Sequence, residues 1–137
     1  MKLPSFHDDL VVGYEVDLEL RTLTMRIKQA NGRTITSVNF SGVEGHCFSN
    51  VAHGNILLSV DYVSASDLIR QNRAEIEASF HQSGSPGPWA ENLKQAAARF
   101  DEMGVHGYLL SASFGMQGWV LAKEVTCAAQ QVVATDI

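Results

Sequence analysis

The chain contains no long apolar run. Of its 137 residues, 45% are apolar and 18% are charged. Charged residues or Ser, Gly and Asn interrupt every hydrophobic stretch, so none reaches the roughly 18 residues that a transmembrane helix needs. We therefore expect a protein that does not enter a membrane.

Secretory features are also scarce. The acidic residues that follow His7 come before an apolar signal region can form. The two cysteines, Cys47 and Cys127, lie far apart in the sequence, and nothing else indicates an oxidising compartment. We expect both thiols to be reduced and the protein to be cytoplasmic.

Basic residues are few. There are 10 Lys and Arg against 15 Asp and Glu, which gives a net charge of −5. Nucleic-acid binding depends on Lys and Arg that replace the counterions of the phosphates, and no such cluster is present. We therefore expect no nucleic-acid partner. An acidic surface instead attracts a basic protein partner.

The first part of the chain has the two-residue period of antiparallel strands. Between Val12 and Leu18, apolar residues alternate with acidic ones, so that Glu15 and Asp17 point to the wet face. The acidic pair is the motivation for a basic partner. We also expect its reversal to lysine to leave the fold intact.

The second and third strands form a hairpin around Asn31-Gly32, a dipeptide typical of two-residue type I′ turns. A turn centred there makes the apolar faces coincide, whereas a slip of one residue would separate them. The predicted register is Met25 opposite Val38, Leu23 opposite Phe40, and Ile27 opposite Thr36.

An irregular connection is predicted from Gly42 to Gly54, followed by a fourth strand. That strand is expected to place Ile56, Leu58, Val60 and Tyr62 on one face.

Helical spacing begins at Ser64, which resembles a capping residue for Asp67. A second helix is predicted from Pro88 to Gly104. Two closing strands follow, with Phe114 expected to pair with Trp119.

These elements predict a single α+β domain over residues 1–127. It has about six antiparallel strands, with two helices inserted between strands four and five and packed on one sheet face. The insertion covers about residues 66–104. Residues 128–137 carry no periodic signal and are expected to form a frayed C-terminal tail.

Metal ligation is one hypothesis for the site. His46, Cys47 and His53 fall in the predicted irregular connection, and His7 or Asp8 supplies a further ligand if the two segments meet. A small metal-dependent hydrolase is therefore the alternative function. The spacing matches no established zinc pattern. In the simpler interpretation, His7 and Asp8 tie the N-terminal segment to the sheet.

No catalytic set is assembled in the sequence, because no serine lies in a G-x-S-x-G elbow and Cys47 is a lone thiol beside a histidine. The leading hypothesis is a non-catalytic binding domain without a cofactor. Self-association through an uncovered sheet edge, giving a homodimer, is a third possibility. The residues expected to contribute to binding are His7, Asp8, Asp9, Glu15, Asp17, Asn50 and His53.

Several short motifs resemble those of a family of small bacterial proteins that open with F-H-D-(A/S) and a strand meander. They are Phe6-His7-Asp8-Asp9, Phe40-Ser41-Gly42-Val43, the segment from Asn50 to Gly54-Asn55, and Ser113-Phe114-Gly115. The resemblance skips residues 66–104.

Some members of that family are similar to immunity proteins, which neutralise toxins of neighbouring bacteria. The resemblance implies no catalytic activity, and it implies that the shared residues fix loops around the sheet. Asp9 departs from the usual small residue and adds a charge. The loop-fixing residues would be His7, Asp8, Gly42, Asn50 and Gly54.

Overall fold

The fold combines six strands with three α-helices and one short 3-10 helix in residues 3–131, the part of the chain that this computed structural model describes. The strands before the helices are β1 (Leu10–Asp17), β2 (Thr22–Lys28), β3 (Thr34–Ser49) and β4 (Asn55–Ser64). The helices are α1 (Ala65–Gln71), α2 (Arg73–Ser83), the 3-10 helix (Pro88–Glu91) and α3 (Leu93–Met103). The last strands are β5 (His106–Phe114) and β6 (Gln117–Gln131).

The strands form one antiparallel sheet that closes into a barrel in the order β1-β2-β3-β6-β5-β4. The predicted α+β class with six antiparallel strands is confirmed. At the closure, β1 and β4 share two residue pairs, Leu10 with Ile56 and Val11 with Asn55, and backbone hydrogen bonds from Asp8 and to Asp9 join the same edge to Leu57. The alternation of single strands carries no signal for closure, because it shows which face is apolar but not which strands meet.

Two apolar clusters stabilise the barrel, one inside it and one under the helices. Each large side chain that is fully buried contributes about 1.5–3 kcal/mol. The inner cluster includes Phe6, Leu23, Met25, Ile27, Val38, Phe40, Leu57, Tyr108, Val120 and Ala122. The outer cluster includes Leu68, Ile69, Ile76, Leu93, Phe100, Trp119 and Leu121.

The prediction of two helices is wrong in number. The first predicted helix is interrupted at Asn72 and forms α1 and α2. The side chain and the backbone N–H of Asn72 both donate to the carbonyl of Leu68 and so end α1. The second begins as the 3-10 helix at Pro88, and α3 starts only after Asn92, which caps the N–H of Gln95. The predicted cap at Ser64 is confirmed. No helix of residues 3–131 is long and apolar enough to span a membrane.

The predicted irregular connection from Gly42 to Gly54 is wrong over most of its length. A bulge between Val43 and Gly45 shifts the register, and β3 then continues beside β6. Gly42 and Gly45 therefore belong to a bent strand and not to a loop. His46 and Cys47 lie in that strand.

The predicted register of the β2–β3 hairpin is confirmed in all three pairs. The turn itself is wider than a type I′ turn. Gly32 has a positive φ of 72°, whereas Asn31 does not, and the N–H of Gly32 donates to the carbonyl of Gln29 at 2.8 Å.

The predicted pairing of Phe114 with Trp119 is wrong, because Trp119 lies opposite Leu109. Both faces of β6 are buried here, so alternation does not specify the register. The predicted apolar faces of β1 and β4 are also wrong in part. Bulges near Val12 and Leu58 turn those two side chains toward solvent.

The C-terminal part of the chain is ordered further than its lack of periodicity suggests. β6 continues to Gln131, and Ala128 to Gln131 pair with Thr34 to Ser37 of β3. Backbone pairing with β3 orders these residues, although their side chains show no periodic pattern. Residues 132–137 of the predicted tail lie outside the described residues.

Candidate functional site

The N-terminal motif ties the chain to the barrel. Phe6 is buried in the inner cluster. The N–H of Asp8 donates to the carbonyl of Leu57 at 2.9 Å, and the side chain of Asp9 accepts from the N–H of Ala30 at 3.2 Å. Asp9, which is buried, thus connects the start of β1 to the β2–β3 turn.

His7 and Asp8 stay at the exposed tip of this segment, with Nδ1 and Oδ2 3.0 Å apart. His53 is exposed in the loop before β4, whereas His46 and Cys47 lie in β3. Residues 3–131 contain no group of three or more His, Cys, Asp or Glu side chains placed to hold a metal ion. The convergence required by the metal-dependent alternative is not found.

The loop between β3 and β4 has a structural centre that the sequence did not single out as a site. Asn50 adopts a positive φ of 59° at the start of the loop. Buried Asn55 accepts from the N–H groups of Ala52 and Met116 and donates to the carbonyl of Ala52. Asn55 therefore joins β4 to the β5–β6 turn. The side-chain hydrogen bonds that fix this loop come from Asn55, which was not among the residues expected to fix loops.

The acidic residues of β1 are exposed, as predicted, but they are not equivalent. Glu15 is exposed to solvent, and its carboxylate makes no hydrogen bond or ion pair among the described residues, although its backbone pairs with Thr24. Asp17 accepts from the N–H groups of Glu19 and Leu20 at 3.1 and 2.8 Å, and so it stabilises the β1–β2 turn. A lysine at Asp17 would remove that stabilisation.

The β1–β2 turn presents apolar side chains to solvent. Leu18 is 80% exposed and Leu20 is 71% exposed, the highest values among the large apolar residues of residues 3–131. We call residues 18–21 the hairpin tip. Alternation predicted Leu18 to continue a buried face, but the barrel ends before it.

A cleft of about 360 Å³ lies between the hairpin tip and the loop that precedes α3. We call it the tip cleft. The indole Nε1 of Trp89 donates to the carbonyl of Glu44 at 3.0 Å, and Arg21 lies 3.3 Å from the Glu44 carboxylate. These contacts hold its walls in place. Its lining includes Val16, Asp17, Leu18, Arg21, Val43, Glu44, His46, Pro86 and Trp89.

His46 adds a polar group to the tip cleft. Burial lowers the pKa of its imidazole from 6.5, so the ring is neutral at pH 7 and has one nitrogen able to donate and one able to accept a hydrogen bond. The sequence made His46 a ligand in the metal-dependent alternative, whereas the structure places it in the lining of the tip cleft, among charged and apolar residues.

A second cavity, of about 300 Å³, lies where β5 and β6 separate beneath the junction of α1 and α2. We call it the Trp119 cavity. Burial raises the pKa of the Cys47 thiol, and the negative charge of Glu75 raises it further, so the thiol is neutral at pH 7. Its lining includes Cys47, Ser49, Gln71, Glu75, Ser111, Gln117 and Trp119.

A third cleft holds two tyrosines and a histidine near the start of β5. The hydroxyl of Tyr62 lies 2.8 Å from Nδ1 of His106. Burial and the neighbouring Tyr62 raise the pKa of Tyr108 to about 12, so its hydroxyl stays protonated at neutral pH.

No protein-family model, no curated protein and no solved structure matches the chain. The resemblance to the F-H-D-(A/S) family stays a prediction.

Proposed function

We propose that this protein is a non-catalytic interaction domain that binds a basic segment of a partner protein at the hairpin tip and tip cleft. The observation that carries the proposal is the exposure of Leu18 and Leu20 beside a formed cleft. Exposed apolar side chains next to a concave surface are typical of protein-binding sites.

The charge around the cleft favours a basic segment. Asp17 and Glu44 line the cleft, and Glu19 is exposed at the hairpin tip. Arg21 is the basic residue of the cleft lining, and it is paired with Glu44. A surplus of carboxylates attracts lysine and arginine and raises the association rate, most strongly at low salt.

The cleft is also formed in advance. The turn is held by Asp17, and Trp89 is held by the carbonyl of Glu44. A partner would therefore not have to order these walls, which lowers the cost of binding. The resemblance to immunity-protein-like family members favours the same class of function, in which a partner is bound and no reaction is catalysed.

Selection from a displayed library of short random peptides tests the proposal. We expect the enriched peptides to carry Lys or Arg beside a large apolar residue. Binding of a selected peptide should weaken by about tenfold or more in the double variant Leu18→Ser/Leu20→Ser. Leu58→Ser, which changes an exposed leucine away from the cleft, is the matched control and should bind normally.

Charge is tested separately with Glu19→Lys, because Asp17 is needed for the turn. At low salt this variant should associate more slowly with the peptide, and high salt should remove the difference. Glu102→Lys, an exposed acid on α3, is the control. Enrichment of acidic peptides, or equal binding by the leucine variant, would refute the proposal. If the mass of the native protein in solution rises with its concentration, and the leucine variant stays monomeric, the hairpin tip is a homodimer interface and not a peptide-binding site.

A further inference from the structure

One edge of the sheet is unpaired in the part of the chain that the structure describes. β6 pairs with β3 along its length, whereas β5 pairs with it only from Gly118 to Ala122. We call the stretch from Lys123 to Gln131 the β6 edge. In residues 3–131, no backbone hydrogen bond outside the ladders reaches it. About half of the N–H and C=O groups of a strand point to each side, so the β6 edge presents a row of free groups.

The β6 edge is regular and lacks most of the features that protect an exposed strand. From Glu124 to Gln131 it pairs with β3 without a register shift. It contains no proline and no glycine, and its charged residues are Lys123 and Glu124 at one end. The side chain of Lys123 leans over β3, away from the free side, since a Cβ atom built on Gly42 would lie 3.0 Å from its Cβ and Cγ atoms. A long, flat edge with little charge is a template for another strand.

The other exposed edge, that of β4, is protected. β4 pairs with β1 only at Asn55 and Ile56 and with the N-terminal segment at Leu57, so its later residues also lack a strand on that side in the described part of the chain. Two register shifts between Ile56 and Ser59 interrupt its ladder with β5, and the exposed Asp61 adds a charge. Bulges and charges discourage pairing with another chain. The β6 edge is therefore the one that is fit to accept a strand.

We propose that the β6 edges of two copies of this chain pair with each other, antiparallel and across a two-fold axis, to form a homodimer. Two identical strands pair in this way over their full length when the middle residue lies opposite itself. The middle residue of the β6 edge is Cys127. Full overlap therefore places Cys127 opposite Cys127 of the second copy, and it sets the remaining pairs as Lys123–Gln131, Glu124–Gln130, Val125–Ala129 and Thr126–Ala128.

The residues of the β6 edge suit this self-pairing. Both charged residues lie opposite a glutamine of the second copy, so no like charges meet. The pairs nearest the axis combine β-branched residues with alanine, which leaves no bulky side chain to separate the strands. Residues that lie opposite each other share a face of the sheet, so Val125, which is buried inside the barrel, lies opposite Ala129.

The third cleft leaves room for the incoming strand. It has a volume of about 510 Å³ and separates Tyr62 and His106 from the first four residues of the β6 edge. Residues 128–131 of the second copy pair with these four and would enter the cleft, since the β5–β6 ladder has ended there. A strand pairing of this length forms only about nine backbone hydrogen bonds, so we expect a weak dimer with a Kd of about 1–100 µM.

Sedimentation equilibrium of the full chain from about 1 µM to 1 mM tests the proposal. We expect the mean mass to rise with concentration from that of the monomer toward that of the dimer. Thr126→Lys/Ala128→Lys changes two exposed residues and places lysines of the two copies opposite each other. It should weaken self-association by about tenfold or more. Gln95→Lys/Ala98→Lys adds the same charge at exposed positions of α3 and should associate as the native protein does.

A charge swap tests the register. Thr126→Glu/Ala128→Glu should also associate weakly with itself, but an equimolar mixture with the lysine variant should give a heterodimer in a native mass spectrum, because each lysine then lies opposite a glutamate. The proposal is overturned if the native protein stays monomeric up to about 1 mM, if the lysine variant associates as its α3 control does, or if the mixture gives no heterodimer. Leu18→Ser/Leu20→Ser should dimerise as the native protein does, and the lysine variant should bind the tip-cleft peptide normally, so the two proposals fail independently.

Discussion

The β2–β3 and β5–β6 hairpins belong to one barrel, but the first is closed and the second is open. β2 and β3 pair without interruption from Thr22 to Lys28. β5 and β6 pair only from His106 to Leu110, and residues 111–117 leave that ladder. Both hairpins contribute side chains to the inner cluster, but the open one also leaves a cavity where its strands separate. The interruption of the β5–β6 pairing therefore leaves a cavity in this part of the sheet.

The two hairpins also differ in what covers their faces. β2 buries Leu23, Met25 and Ile27 inside the barrel and turns Arg26 to solvent. β6 buries residues on both sides, with Val120 inside the barrel and Trp119 under the helices. A strand covered on both faces has little tolerance for change on either side, so the open hairpin should be the more sensitive of the two.

The largest expected effect is at Gly118, near the open hairpin. A Cβ there would lie 1.9 Å from the carbonyl oxygen of Cys47, so β3 and β6 would have to separate. Gly118→Ala should lower the free energy of unfolding by about 3 kcal/mol or more. Gly32→Ala, in the closed hairpin, meets only the strain of a positive φ and should cost about 1–2 kcal/mol. Urea unfolding measures both, and equal costs would contradict the comparison.

Asn55 and Asn31 give the next comparison. Asn55→Ala leaves the N–H groups of Ala52 and Met116 without an acceptor in a buried position and should cost about 2 kcal/mol. Asn31→Ala removes an exposed hydrogen bond to the N–H of Arg33 and should cost less than about 1 kcal/mol. Thermal unfolding of the two variants checks this order. A larger loss of stability in Asn31→Ala than in Asn55→Ala would contradict the comparison, because it would show that the closed hairpin depends on its turn.

The smallest effect concerns alkaline pH. Folding raises the pKa of Tyr108 from 10.0 to about 12, so above pH 10 the unfolded chain loses this proton before the folded one does. Stability from Tyr108 is therefore complete below pH 10 and is lost as the pH rises through 12. Tyr108→Phe in β5 should reduce the loss of stability between pH 10 and 12. If the pH dependence of stability is the same in Tyr108→Phe as in the native protein, the loss of stability does not come from Tyr108.

How much of the fold could be predicted depends on how each strand is covered. Leu23, Met25 and Ile27 alternate with polar residues, so the register with β3 followed from the sequence alone. Trp119 and Val120 are adjacent and both buried, so alternation gave no register for β6. The bulges at Val12 and Leu58 and the closure of the barrel arise from strand pairing across the whole sheet, which no local pattern encodes.

The candidate sites were less predictable than the fold. The sequence identified exposed acids at Glu15 and Asp17, but not that Asp17 holds the turn that displays Leu18 and Leu20. His46 was a candidate ligand because it falls near Cys47 and His53 in a predicted irregular connection, but β3 continues through that region after a bulge. The Trp119 cavity depends on a helix break at Asn72 lying above a separated strand pair. Residues so distant in sequence meet only in the folded chain.

The central claim is that the hairpin tip and tip cleft bind a basic, apolar segment, and one spectrum tests it most directly. A peptide selected on the native protein is added to the 15N-labelled protein, and the shifts of its backbone and indole signals are mapped. The account predicts shifts at residues 18–21 and at the Trp89 indole, with the Trp119 indole unchanged. Shifts confined to other parts of the barrel, or none at the hairpin tip, would contradict it.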